Sequence, residues 1–143
     1  MKNFFHAISY LQYPLLLVMI YFVVTPLFND FEEVFVSFNL ALVFMGLSVS
    51  FSTLQDTSKT QNKASLKVWQ SPRKGKLFLT LLGLLAMFFV VMGIMGMLFT
   101  FSTILSQIAL GMVVTGVSII SMLKAALEMF ENHRLDKNPA SSA

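Results

Sequence analysis

The chain has 143 residues, 56% of them hydrophobic and 12% charged, whereas soluble domains run to about half apolar and a quarter charged. That balance excludes an ordinary water-soluble domain. The formal net charge is +3, yet residues 3–29, 34–55 and 77–123 carry no Asp, Glu, Lys or Arg at all.

A hydrocarbon core of about 30 Å takes roughly 20 apolar residues as helix, so these stretches have the lengths of one, one and two crossings. The expected first span lies within residues 4–28. No small-x-small cleavage site follows a short apolar core before Pro14, so it reads as an uncleaved span rather than a signal peptide. Pro14 marks either a kink or the junction between an interfacial segment and the crossing. A kinked crossing is the expectation, because the stretch from Pro14 to Phe28 alone is short for a bilayer.

Asn29–Glu33 forms a tight acidic turn, too short for anything but an antiparallel hairpin, and leads into a second span at 34–55. Residues 56–76 make a basic loop holding Lys59, Lys63, Lys67, Arg73, Lys74 and Lys76. Ser71-Pro72 is a helix start, since Ser can cap and Pro suits the first helical position. Trp69 stands where an interfacial aromatic would anchor the third span, 77–99. Thr100–Thr103 is the polar break before a fourth span at 103–123. Beyond it, Leu123, Leu127, Phe130 and Leu135 recur near helical spacing, so the last helix extends as an amphipathic segment. Asn138-Pro139 stops it and leaves a loose tail.

The expected fold is therefore an all-α integral membrane protein. A single transmembrane domain occupies residues 1–143, with four helices as two antiparallel hairpins, a loop at 56–76 and a tail at 124–143. Four crossings put both termini and the central loop on one side. All ten basic residues fall there, and the opposite side shows only Asp30, Glu32 and Glu33. The positive-inside rule makes that shared side cytoplasmic in a bacterial-type inner membrane.

Chemistry is harder to find. No ionisable group lies within the spans except His6 near one end, which weighs against proton-coupled exchange. His6 and His133 do not sit at matched depths on facing helices, so neither a haem nor a metal is expected, and no cofactor is implied. There is no cysteine, no Gly-x-Ser-x-Gly and no phosphate-binding loop, and an enzyme is not expected. The Asp30, Glu32 and Glu33 cluster reads as a solvated turn. The basic loop serves orientation and attraction to anionic lipid rather than nucleic-acid binding. Met92, Met95 and Met97 spread over about 0°, 300° and 140° of their helix and read as apolar filler, not a soft-metal path.

What remains is small and neutral polar residues at helical spacing. Gly83, Ala86 and Gly93 fall within a sector of about 80°. Asn39, Gly46, Ser50 and Thr53 share about 60° of the second span, and Gln107, Ser118 and Ser121 a similar sector of the fourth. Both spans run in the same direction, which predicts a seam pairing Asn39 with Gln107, Ser50 with Ser118 and Thr53 with Ser121. Gly46-x-x-x-Ser50 and Gly111-x-x-x-Thr115 supply the small steps for close approach. The expected function is that of a small non-enzymatic membrane protein acting through helix contacts, in a larger membrane complex or with copies of itself. The alternative is an oligomeric channel or carrier lined by neutral Asn, Gln, Ser and Thr.

Overall fold

The computed structural model describes residues 2–28, 34–54, 63–99, 103–134 and 136. The acidic turn Asn29–Glu33, the loop residues 55–62, the break at 100–102 and the Asn138-Pro139 stop lie outside the described residues. The elements are α1 (Lys2–Ser9), α2 (Gln12–Phe28), α3 (Val34–Ser52), α4 (Lys63–Gln70), α5 (Pro72–Leu98) and α6 (Thr103–His133), with no strand among the described residues. Four helical stretches are long and apolar enough to cross a membrane: Ala7–Phe28, Val34–Ser52, Pro72–Leu98 and Thr103–His133.

Burial is inverted relative to a water-soluble domain. Many of the innermost positions are small or hydroxylic, with Ala41, Ser48, Ala86, Ala109, Thr115 and Ser118 buried beside the larger Trp69, Met112, Ile119 and Phe130, while Leu17, Leu84, Phe88, Leu98 and Val117 are more than half exposed. Water would penalise such an exterior, whereas hydrocarbon does not. Small residues inside let helix backbones approach, which is how helices associate in lipid.

The first helical stretch, Ala7–Phe28, is kinked near its start. The kink falls at Tyr10–Leu11, just ahead of Pro14. Pro14 has no N–H to offer the Tyr10 carbonyl. That carbonyl instead accepts from the Tyr13 N–H at 3.1 Å, and the Leu11 N–H turns to Ile8 at 3.0 Å, so the chain tightens into three-residue turns before α2 resumes. The proline thus kinks the stretch between the short α1 and the longer α2.

Helix lengths also differ between the two halves. The 17 residues of α2 and 19 of α3 span about 26 and 29 Å. The 27 residues of α5 and 31 of α6 span about 41 and 47 Å, so this pair outreaches a hydrocarbon core. Pro72 is the first residue of α5, as its fixed φ favours. Ser71 ahead of it is extended but makes no side-chain cap.

α2 packs on α3, α3 on α6 and α6 on α5, with no comparable packing joining α2 to α5. α6 is thus the central helix. Its α5 neighbours run in opposite chain order: Gly96 lies against Leu105, Gly93 against Ala109 and Val113, and Val90 against Gly116. Its α3 neighbours run in the same order, from Asn39 beside Gly111 to Gly46 beside Ser118. α2 joins the other face of α3 through stacked Phe22 and Phe44 rings, 5.6 Å apart, and through Ser48 Oγ, which donates to the Gln12 carbonyl at 2.9 Å.

Candidate functional site

The polar groups of the apolar helices converge where α3 meets α6. Gly111 has no Cβ, and the α3 backbone occupies the space one would need: an added Cβ would stand 2.6 Å from both the Asn39 carbonyl oxygen and Leu42 Cβ. The bare backbone there presents its N–H, which donates to Asn39 Oδ1 at 2.7 Å. One turn on, Thr115 Oγ1 donates to the Leu42 carbonyl at 2.9 Å. A further turn on, Ser50 Oγ donates to Ser118 Oγ at 3.0 Å, and Ser118 Oγ in turn donates to the Val114 carbonyl at 2.7 Å. Gly46 sits between these steps, against Val114 and Ser118.

The structure brings Ser50 and Ser118 together at the offset of 68 residues that the chain pattern suggests. It does not bring together the other two pairs. Gln107 is exposed and Asn39 finds Gly111 instead, one turn further along α6. The reason is reach: an amide set beside a glycine meets a backbone N–H before it can reach a side chain on the adjacent turn. Ser121 is also exposed, and Thr53 Oγ1 donates to the Ser50 carbonyl at 2.7 Å within its own helix end. On α5, Ala86 and Gly93 are buried against α6, whereas the nearest atom to a Cβ added at Gly83 is 3.9 Å away.

Sequence reasoning misses Gly116, which seats Val90 and the Ala86 carbonyl of α5. The signal exists in the spacing: Gly111 and Gly116 lie about 140° apart on α6, enough for one to serve α3 and the other α5.

A second cluster forms where α5 and α6 overhang. Trp69 of α4, 7% exposed, packs with Ala126 and Phe130 of α6, and its ring meets Phe78 of α5 edge-on at 5.3 Å. Trp69 is therefore buried between helices rather than laid in an interface as a free anchor. α4 itself is a short helix within the stretch that reads as a loop; its Leu66 and Trp69 are too few to show a period. Gly75 makes room for the Phe130 ring. Arg134 covers that ring from 5.1 Å and donates to Asp136 and Glu131, whose hydrogen bonds raise its pKa further above the usual guanidinium range.

His133 turns its Nδ1 to the Met129 carbonyl at 2.9 Å, and no group of His, Cys, Asp or Glu suited to a metal ion occurs among the described residues. The groove among α2, α3 and α6 is lined by apolar side chains, among them Met19, Val23, Phe38, Met45 and Ile108. Compared with known proteins, the chain matches no family model, no curated protein and no solved structure.

Proposed function

We propose that this chain is a small multi-pass protein of a bacterial-type inner membrane, built as two antiparallel hairpins with both termini and the 56–76 loop in the cytoplasm. It acts without catalysis, through helix contacts with a larger membrane complex or with copies of itself. The α3–α6 seam joins the two hairpins, and the outer faces of α2, α5 and α6 are left for lipid and for partners.

One observation carries the reading. Four of the neutral polar groups that a channel or carrier could use, those of Asn39, Ser50, Thr115 and Ser118, are engaged in the α3–α6 seam, while Gln107 and Ser121 stay exposed outside it. A conduit lined by those four would have to break the packing that joins the two halves. The charge distribution supports the orientation, since a loop and tail rich in lysine are retained on the cytoplasmic side. The overhang of α5 and α6 then lies in the cytoplasm, where α4 covers it.

Purification from native membranes in a mild detergent tests the proposal. Co-migration with a membrane partner in fixed stoichiometry, or a defined homo-oligomer without transport activity, is the expected outcome. A species that conducts ions or solutes in liposomes would replace it with the channel reading.

A further inference from the structure

Trp69 is 7% exposed, and its Nε1–H is buried with no hydrogen-bond partner. A buried donor left unpaired is costly, because water would have satisfied it. The docked position of α4 therefore carries a built-in penalty that Ala126, Phe78 and Phe130 offset by packing. Indoles have another favourable location, the bilayer interface, where the ring lies among acyl chains and the N–H meets lipid oxygens.

The rest of α4 suits that location. Leu66 and Trp69 fall within about 60° of one another on the helix, and Lys67 lies at least about 100° from either. Lys67, Arg73, Lys74 and Lys76 are exposed, and among the described residues the ion pairs join Arg134 to Glu131 and Asp136, not these four. The segment thus presents unneutralised positive charge on both sides of an amphipathic turn, the pattern that binds anionic headgroups.

We propose that α4 is a binding element for an anionic lipid surface, held in check by docking Trp69 onto α5 and α6. In neutral lipid, Trp69 stays in its seat. Anionic lipid attracts the lysines, the helix moves to the bilayer surface, the indole N–H gains an acceptor, and Ala126 and Phe130 are uncovered. The inference rests on the reading of α2, α3, α5 and α6 as membrane spans with the α4 end beside a leaflet.

The chain has a single tryptophan and three tyrosines, so fluorescence excited selectively at tryptophan, beyond the tyrosine absorption, reports α4 alone. The full-length protein is reconstituted into vesicles of phosphatidylcholine, without or with phosphatidylglycerol, and Trp69 quenching by acrylamide and by bromine-labelled acyl chains is measured. Docking predicts weak acrylamide quenching in neutral vesicles. Phosphatidylglycerol should raise both kinds of quenching several-fold, and high salt should reverse the rise by screening. Lys67→Glu with Lys74→Glu should abolish the lipid response while leaving Trp69 shielded, and Phe130→Ala should release Trp69 even in neutral vesicles, with helicity unchanged by circular dichroism. Equal quenching in the two lipids by protein that floats with the vesicles would overturn the proposal while leaving the membrane reading intact. Protein that does not float with them would overturn the membrane reading itself.

Discussion

Asn39 and Gly111 are bound to one another by what the glycine lacks: without a Cβ at 111, the α6 backbone N–H is open, and Asn39 Oδ1 accepts from it at 2.7 Å. Asn39→Leu should therefore lower the stability of the folded protein in mixed micelles by about 0.6 to 2 kcal/mol, the range for such bonds in lipid. Gln107→Leu, at an exposed position, should change it by less than about 0.5 kcal/mol. Equal losses for both variants in denaturant titrations would contradict the assignment of the amide to Gly111.

Glycine substitutions separate contact from mere frequency of small residues. Gly111→Ala puts a methyl 2.6 Å from the Asn39 carbonyl oxygen, so α3 must retreat, at a cost of about 1 to 3 kcal/mol. Gly83→Ala meets nothing nearer than Leu123 Cδ2 at 3.9 Å and should be neutral or stabilising by up to about 1 kcal/mol, because alanine has less backbone freedom to lose in a helix. Thermal melts that rank the two variants in the reverse order would place the tight seam elsewhere.

How far the sequence discloses this arrangement depends on the residue. Four apolar stretches are readable from charge-free length alone, because hydrocarbon thickness sets that length. The offset relating Ser50 to Ser118 is readable too, since two helices running the same way keep equal depths at equal offsets. The partner of Asn39 is not. Choosing between Gln107 and Gly111 requires the rotation and separation of the helices, and these depend on all the side chains between them. The Tyr10–Leu11 kink is half readable: Pro14 announces a missing donor, but whether the helix bends or ends depends on what packs beside it. The seat of Trp69 is invisible in the chain, because Ala126 and Phe130 come from an element more than fifty residues away.

Orientation is open to a direct check. Reporter fusions after Ala143 and within Gln61–Ser65 should both register cytoplasm, and one at Asn29–Asp30 should register the far side. Moving two or three lysines from the 56–76 loop into the Asn29–Glu33 turn should weaken or invert this pattern, because basic residues near the spans set it. An external signal from the Ala143 fusion would mean an odd number of crossings.

Transport makes its own demand. Purified protein in liposomes should pass neither inorganic ions nor small neutral solutes above the protein-free background, because the polar seam is closed by its own hydrogen bonds. Flux that Asn39→Leu or Gln107→Leu alters, with folded protein retained, would show a conduit lined by neutral side chains.

The most direct test of the account is a crosslink across the seam. The protein has no cysteine, and Ser50 Oγ lies 3.0 Å from Ser118 Oγ, so Ser50→Cys with Ser118→Cys introduces the only two thiols at a separation a disulfide can close. With a protease site placed in the 56–76 loop and a membrane-permeant oxidant, the account predicts that the cut halves of one chain stay joined until reduced. The pair Thr53→Cys with Ser121→Cys, whose parent side chains do not meet, should link far less. Halves that separate after oxidation, or linkage found only between chains, would contradict an α3–α6 seam within the protein.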